Sequence, residues 1–120
     1  MDSRKRLQNA FEDIFATTFD KKEYVQVYAV SDAGLLLNDV PGEDVSKKST
    51  LLANLMAAAD SLHDTPLVKL SVDQGCLFLH RLNNTSFLAV ETSSAAKDEE
   101  VLQLINEVSR RVRNEIPWLR

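Results

Sequence analysis

Three short apolar segments in the second half of the chain constrain its fold more than any other feature. They run from Leu67 to Val72, from Cys76 to Leu82 and from Ser86 to Glu91. Short breaks rich in turn residues, Asp73-Gln74-Gly75 and Asn83-Asn84, separate them. Segments of this composition, joined by such turns, are typical of β-hairpins. We therefore expect a meander of three antiparallel strands.

Two further strands are expected earlier in the chain. The segment Tyr24 to Val30 is β-branched and aromatic, and it is too apolar on both faces for a surface helix. The turn Ser31-Asp32-Ala33-Gly34 follows it and leads into Leu35, Leu36 and Leu37. This pattern predicts a hairpin whose second strand is Leu35 to Leu37.

Helical periodicity marks three other segments. Apolar residues at helical spacing predict a first helix from about Ser3 to Thr18. A segment rich in Leu, Ala and Met predicts a second helix from Ser49 to about Leu62. The last helix is amphipathic and extends to Ile116, where Pro117 stops it.

The expected order is therefore helix, two strands, helix, three strands, helix, within a single domain covering residues 1–120. This α+β order fits a five-stranded antiparallel sheet with one helix on one face and two on the other, as in longin- and profilin-like folds. A chain of 120 residues is long enough to bury one continuous core.

Composition argues against several classes of function. The net charge of −4 disfavours binding to nucleic acid or to an anionic membrane through the overall field. Only basic clusters at Arg4 to Arg6 and Arg110 to Arg113 keep such contacts open as a minor alternative. The chain has one cysteine, no apolar run long enough to span a bilayer and no signal-peptide pattern, so we expect a cytoplasmic location.

The sequence shows no recognisable catalytic, cofactor or metal site. Its three glycines are not arranged as a phosphate-binding loop. Cys76 and His80 share a strand face but lie roughly 13 Å apart, too far for a reactive pair or a shared metal. The loop Asp39 to Asp44 is acidic but has too few regularly spaced oxygens for calcium. We therefore expect that the chain is not an enzyme.

The middle helix is apolar over more of its circumference than one sheet contact requires. One stripe contains Leu51, Leu55, Ala58 and Leu62, and Leu52, Met56 and Ala59 widen it. The wide face predicts that the helix packs on the sheet and also meets a second subunit. The alternative is that the alanines are helix formers on a half-exposed face.

These segments resemble the roadblock and dynein light-chain family, especially its bacterial and archaeal branch. The resemblance runs from the first helix to about Glu115. Val30 to Leu37 is similar to the family's first hairpin, Leu51 to Ala59 to its alanine-rich helix, and Gly75 to Leu82 with Ser86 to Val90 to its last hairpin.

The resemblance implies a dimer, as homodimer or heterodimer with another roadblock chain, formed by the middle helix and the edge strand after it. The residues expected at the dimer or partner interface are Leu51, Leu52, Leu55, Met56, Ala59, Leu62, Leu67, Lys69 and Ser71.

The implied function is a non-enzymatic scaffold or regulator, without cofactor, that binds a small Ras-like GTPase and modulates its GTP hydrolysis, nucleotide exchange or location. The alternative is an adaptor light chain or scaffold subunit of a motor or membrane-tethered complex. Two features have no family counterpart that settles their role: the Asp39 to Asp44 loop, and Trp118, which either packs on its own domain or anchors a partner.

Overall fold

The computed structural model describes residues 3–19, 24–40, 45–62, 67–72 and 75–119. Three helices and four strands occupy these ranges. In chain order they are α1 (Ser3–Thr18), β1 (Tyr24–Ser31), α2 (Val45–Leu62), β2 (Leu67–Val72), β3 (Gly75–Arg81), β4 (Ser86–Ser93) and α3 (Asp98–Glu115).

The four strands form one antiparallel sheet in the order β1-β4-β3-β2. β2 pairs with β3, and β3 pairs with β4, so the predicted meander is confirmed. β1 pairs with β4, with Val27 opposite Val90 and Ser31 opposite Ser86. β1 and β2 are therefore the edges of the sheet, and α2 carries the chain across one face from the first edge to the second.

Helices cover both faces of the sheet, as predicted. The side chains of Leu88 and Val90 on β4 pack with α1 and α3, whereas Phe87 and Ala89 pack with α2. These four positions are fully buried because β4 is an interior strand covered on both sides. This explains why the strand is continuously apolar instead of alternating.

The prediction that Leu35 to Leu37 form a strand, the second in chain order and one of five in the sheet, is wrong. This segment forms one isolated bridge, between Leu36 and Val30. Two backbone hydrogen bonds accompany it, from Ser31 to the Leu35 carbonyl at 2.8 Å and from Leu37 to the Ala29 carbonyl at 2.7 Å. Beyond Leu37 the side chain of Asn38 replaces the backbone as the partner of β1. The ladder therefore ends after one bridge.

The helix α2 begins at Val45, earlier than the predicted start at Ser49. The hydroxyl groups of Ser49 and Thr50 donate to the backbone carbonyl of Ser46, at 3.0 and 2.9 Å. Hydroxyl side chains that bond back into the preceding turn are compatible with a helix interior. Ser46 therefore already belongs to the helix, and the residues from Val45 to Lys48 form its first turn.

Candidate functional site

The helix α2 has two apolar faces, and only one of them contacts the sheet. Leu52, Ala53 and Met56 are buried in the core between α2 and the sheet. Leu51 lies on the outer side and is 58% exposed, and Leu55 is half-buried beside it. An outward leucine on a helix that already covers a sheet is a candidate contact for another protein.

This arrangement divides the predicted interface residues on α2. The side chains of Leu52 and Met56 are 2% and 0% exposed, so they stabilise the fold and offer no surface to a partner. Leu51, Leu55 and the half-buried Ala59 remain accessible. Periodicity alone could not assign the faces, because apolar residues occupy both of them. The helix ends at Leu62.

The predicted interface residues on β2 lie at the sheet edge. Leu67 is half-buried and packs against the core under α1 and α3, and Ser71 is exposed. Lys69 is also exposed, and its Nζ lies 2.5 Å from Oδ2 of Asp98, the first residue of α3. The hydrogen bond to Asp98 raises the pKa of Lys69. In this chain Lys69 therefore already has an acidic partner.

A groove of about 500 Å³ lies between α2 and the end of the sheet where β3 begins and β4 ends. We call it the α2 groove. Its apolar lining consists of Val25, Leu51, Leu52, Leu55, Leu70 and Leu77. Val25 is 62% exposed. The outer face of α2 thus continues into a concave apolar surface.

A polar cluster forms the rim of the α2 groove. Lys48 Nζ lies 2.5 Å from Glu91 Oε1, and the Tyr28 hydroxyl donates to the same oxygen at 3.1 Å. The Lys48 ammonium also lies 5.2 Å from the centre of the Tyr28 ring. Burial is the main cause that raises the pKa of Tyr28. Burial opposes the charged form of Lys48, but hydrogen bonds with Glu91 and Tyr28 raise its pKa overall.

A second ion-pair cluster holds the other end of α2. Arg81 on β3 lies 3.2 Å from Asp32 Oδ1 in the turn after β1, and its other terminal nitrogen contacts Asp60 of α2. Together with the Lys48–Glu91 pair, these contacts tie both ends of α2 to the sheet. The orientation that turns Leu51 outward is therefore supported at two points.

No protein-family model matches the sequence, and no curated protein matches it either. Solved structures do match. The roadblock/LC7 domain from Streptomyces avermitilis superposes with a TM-score of 0.76 at 15% identity, over 92% of this chain and 97% of that chain. MglB from Myxococcus xanthus matches with a TM-score of 0.75 at 15% identity, over 95% and 97%. The chain has the roadblock/LC7 fold.

The resemblance to the roadblock family is thus confirmed at the level of the fold. A structure of MglB in a tetrameric arrangement also matches, with a TM-score of 0.77 at 11% identity, over 89% of this chain and 88% of that chain. Within the described residues the sheet of this fold has four strands, not the expected five.

Three apolar residues near the predicted interface were missed by sequence reasoning. Val68 and Leu70 of β2 pack on the α2 side of the sheet, and Val25 lines the α2 groove. The alternation of Val68, Leu70 and Val72 along β2 was a usable signal, because side chains two apart share a face.

The described part of the chain contains no cluster of three metal-binding side chains. Cys76 is half-buried and has no disulfide partner, and it pairs across the sheet with Ser71. His80 lies near the opposite end of the same strand, where it pairs with Leu67. His63 and most of the acidic loop, residues 41–44, fall outside the described residues. None of the helices has, within the described residues, an apolar stretch fit to span a bilayer.

Proposed function

We propose that this chain is a non-enzymatic scaffold that self-associates through α2 and the β2 edge, and that the assembly binds and regulates a small Ras-like GTPase. The observation that carries the proposal is that the chain has both an exposed apolar face on α2 and an edge strand, β2. Leu51 is exposed on α2 with the half-buried Leu55 beside it, and β2 ends the sheet on one side.

An edge strand favours association because its outward backbone groups can pair with a second strand. Within the described residues β2 pairs only with β3. Pairing of β2 with the β2 strand of another copy would extend both sheets into one. Isologous contacts of this kind are the usual way in which identical chains form dimers.

The helix supplies the apolar part of such an interface. It has 18 residues, which corresponds to a length of about 27 Å. Burial of a leucine that is largely exposed in the single chain contributes up to about 1.5–3 kcal/mol. A twofold interface uses each residue twice, so Leu51 and Leu55 would each contribute on both sides.

The GTPase part of the proposal rests on the family resemblance in sequence together with the shared fold. The tetrameric arrangement recorded for MglB shows that a protein of this fold assembles with itself, and we extend that behaviour to this chain. The polar rim formed by Lys48 and Glu91 beside the α2 groove gives a partner both apolar and charged contacts.

The first experiment is the mass in solution by light scattering over a tenfold concentration range. We expect a stable mass near twice the chain mass of 13.5 kDa. Leu51→Arg and Leu55→Arg should raise the dissociation constant roughly a hundredfold, because each would bury an unpaired charge in the interface. The matched control is Leu35→Arg, since Leu35 is 62% exposed but lies on the opposite edge of the sheet.

The second experiment tests the GTPase. Each small Ras-like GTPase from the same organism is loaded with GDP or with a non-hydrolysable GTP analogue, and its binding to the immobilised scaffold is measured. Binding that depends on the nucleotide supports the proposal. Co-purification with other subunits regardless of nucleotide would favour an adaptor role instead. A monomer at every concentration, with no GTPase bound, would overturn the proposal.

A further inference from the structure

A second apolar groove lies on the opposite edge of the sheet from β2. Its volume is about 380 Å³, and its apolar lining consists of Leu7, Leu35, Leu36, Leu37, Trp118 and Leu119. Leu35 is 62% exposed and Trp118 is 44% exposed. Among the described residues the large exposed apolar side chains therefore fall into two pairs. Val25 and Leu51 line the α2 groove, and the other pair lines this Leu35–Trp118 groove.

Hydrogen bonds hold the walls of the Leu35–Trp118 groove in place. The Leu35 carbonyl accepts from Ser31 at 2.8 Å, which anchors this wall to β1. The Leu119 carbonyl accepts from the side chain of Asn83 at 3.2 Å, which anchors the segment after α3 to the β3–β4 turn. Both walls of the groove are therefore attached to the sheet or its turns.

The groove is independent of the proposed self-association surface. Leu35 to Leu37 lie beside β1, whereas the proposed dimer forms at β2, on the other edge of the sheet. A dimer formed through β2 would leave the groove open in both copies. A molecule bound in the groove would therefore be distinct from the second copy that pairs through β2.

Basic residues at the start of α1 flank the groove. Arg4 belongs to the lining, and the Arg6 guanidinium lies 4.2 Å from the centre of the Trp118 ring. Lys5 is exposed beside them. The first turn of α1 contains no acidic residue, so the positive end of the helix dipole adds to these charges. In a chain of net charge −4, three consecutive basic residues, Arg4 to Arg6, thus lie beside this groove.

We propose that the Leu35–Trp118 groove binds an acidic amphipathic peptide segment of a partner protein. An apolar side chain of that segment inserts between Leu35 and Trp118, and its carboxylates face Lys5 and Arg6. The stacking of Arg6 on Trp118 gives the ring a fixed orientation before binding, which reduces the entropy lost on association.

The shape and charge of the protein favour a peptide over a lipid surface. A concave groove accommodates individual side chains, whereas membrane-binding helices present a continuous apolar face to the bilayer. The net negative charge of the chain also opposes approach to an anionic membrane.

The test uses the intact protein and a random peptide library displayed on phage. Selected peptides without tryptophan are synthesised and titrated against the fluorescence of Trp118, the single tryptophan of the chain. We expect the selected peptides to combine acidic residues with a large apolar residue and to shift the Trp118 emission to shorter wavelength. Their affinity should fall as the salt concentration rises.

Two variants and a matched control test whether the peptide binds in the Leu35–Trp118 groove. Leu35→Glu should weaken peptide binding roughly tenfold or more, because it removes an apolar contact and repels carboxylates. Lys5→Glu should weaken it severalfold. Asn54→Glu adds the same charge at an exposed position of α2 outside both grooves, and it should leave peptide affinity unchanged. Circular dichroism verifies that each variant is folded.

Several outcomes would overturn the proposal. They are the absence of enriched peptides, enriched peptides that lack acidic residues, and binding that Leu35→Glu does not affect. A Trp118 shift caused by phosphatidylserine vesicles but by no peptide would assign the groove to a lipid surface. Self-association that Leu35→Glu abolishes would assign it to a second copy. Failure of self-association through β2 has no bearing on these results.

Discussion

The Oδ1 atom of Asn38 accepts a hydrogen bond of 2.7 Å from the backbone N–H of Ala29. The Nδ2 atom of the same side chain donates to the Val27 carbonyl at 3.1 Å. Asn38 is only 4% exposed. A side-chain amide has the same donor and acceptor as a backbone amide, so Asn38 completes the edge of β1 where the predicted second strand stops.

We expect Asn38→Ala to lower the free energy of unfolding by about 1–3 kcal/mol, because it leaves the buried N–H of Ala29 without a partner. The Val27 carbonyl keeps a second donor, the side-chain amide of Gln26 at 3.2 Å. Asn38→Asp should not rescue stability, since it lacks the donor and buries a charge. Urea denaturation measures both variants. Asn54→Ala, on the exposed side of α2, is the control and should change stability by less than about 0.5 kcal/mol. Equal effects of Asn38→Ala and Asn54→Ala would contradict this role.

Gly75 begins β3 where its backbone approaches β4 very closely. A Cβ atom added at Gly75 would lie 1.8 Å from the Thr92 carbonyl oxygen. Because the obstacle is backbone in a paired strand, Gly75→Ala must displace β3 from β4. We expect a loss of about 2 kcal/mol or more in urea denaturation. Ser71→Ala, at an exposed position on the neighbouring strand, is the control. A variant Gly75→Ala as stable as the control would show that the two strands separate there at no cost.

Stability at alkaline pH should depend on Tyr28. Burial raises the pKa of Tyr28 above its ordinary value of 10.0, so the folded state favours the neutral phenol. A pKa raised on folding stabilises the protein below the unfolded value, and this contribution is lost as the pH rises through the folded value. The raised pKa of Lys48 acts in the same direction.

We therefore expect the free energy of unfolding to fall above about pH 10, and to fall less steeply in Tyr28→Phe. Urea denaturation at a series of pH values measures the slope. The difference between the ultraviolet tyrosinate titrations of the parent protein and Tyr28→Phe reports the ionisation of Tyr28 directly. Parallel pH profiles for the two proteins would show that Tyr28 does not contribute.

Local patterns in the sequence were sufficient for most of the secondary structure. The bounds of α1 and β2 were predicted correctly, and the meander and the two helical layers were predicted from periodicity and turn residues. These features depend on residues close together in the chain. The strand Leu35 to Leu37 was predicted wrongly because the side-chain amide of Asn38 makes the hydrogen bonds to β1 that the backbone of a strand would make.

The candidate site was only partly predictable. Its elements, α2 and the strand after it, followed from the family resemblance, but the division of α2 into Leu52 and Met56 inside and Leu51 and Leu55 outside did not. Both sets are apolar and only one residue apart, so composition cannot say which side meets the sheet. Ion pairs at both ends of the helix, made by Lys48 and Arg81, support the orientation.

The sequence by itself determined the order of elements, the apolar character of α2 and the absence of a recognisable catalytic motif. The tertiary structure alone decided which leucines are accessible, because that depends on how a helix rotates against a sheet. It also decided that Leu35 and Trp118, more than 80 residues apart in the chain, line one groove. Such proximity comes from packing between distant segments, which no local pattern records.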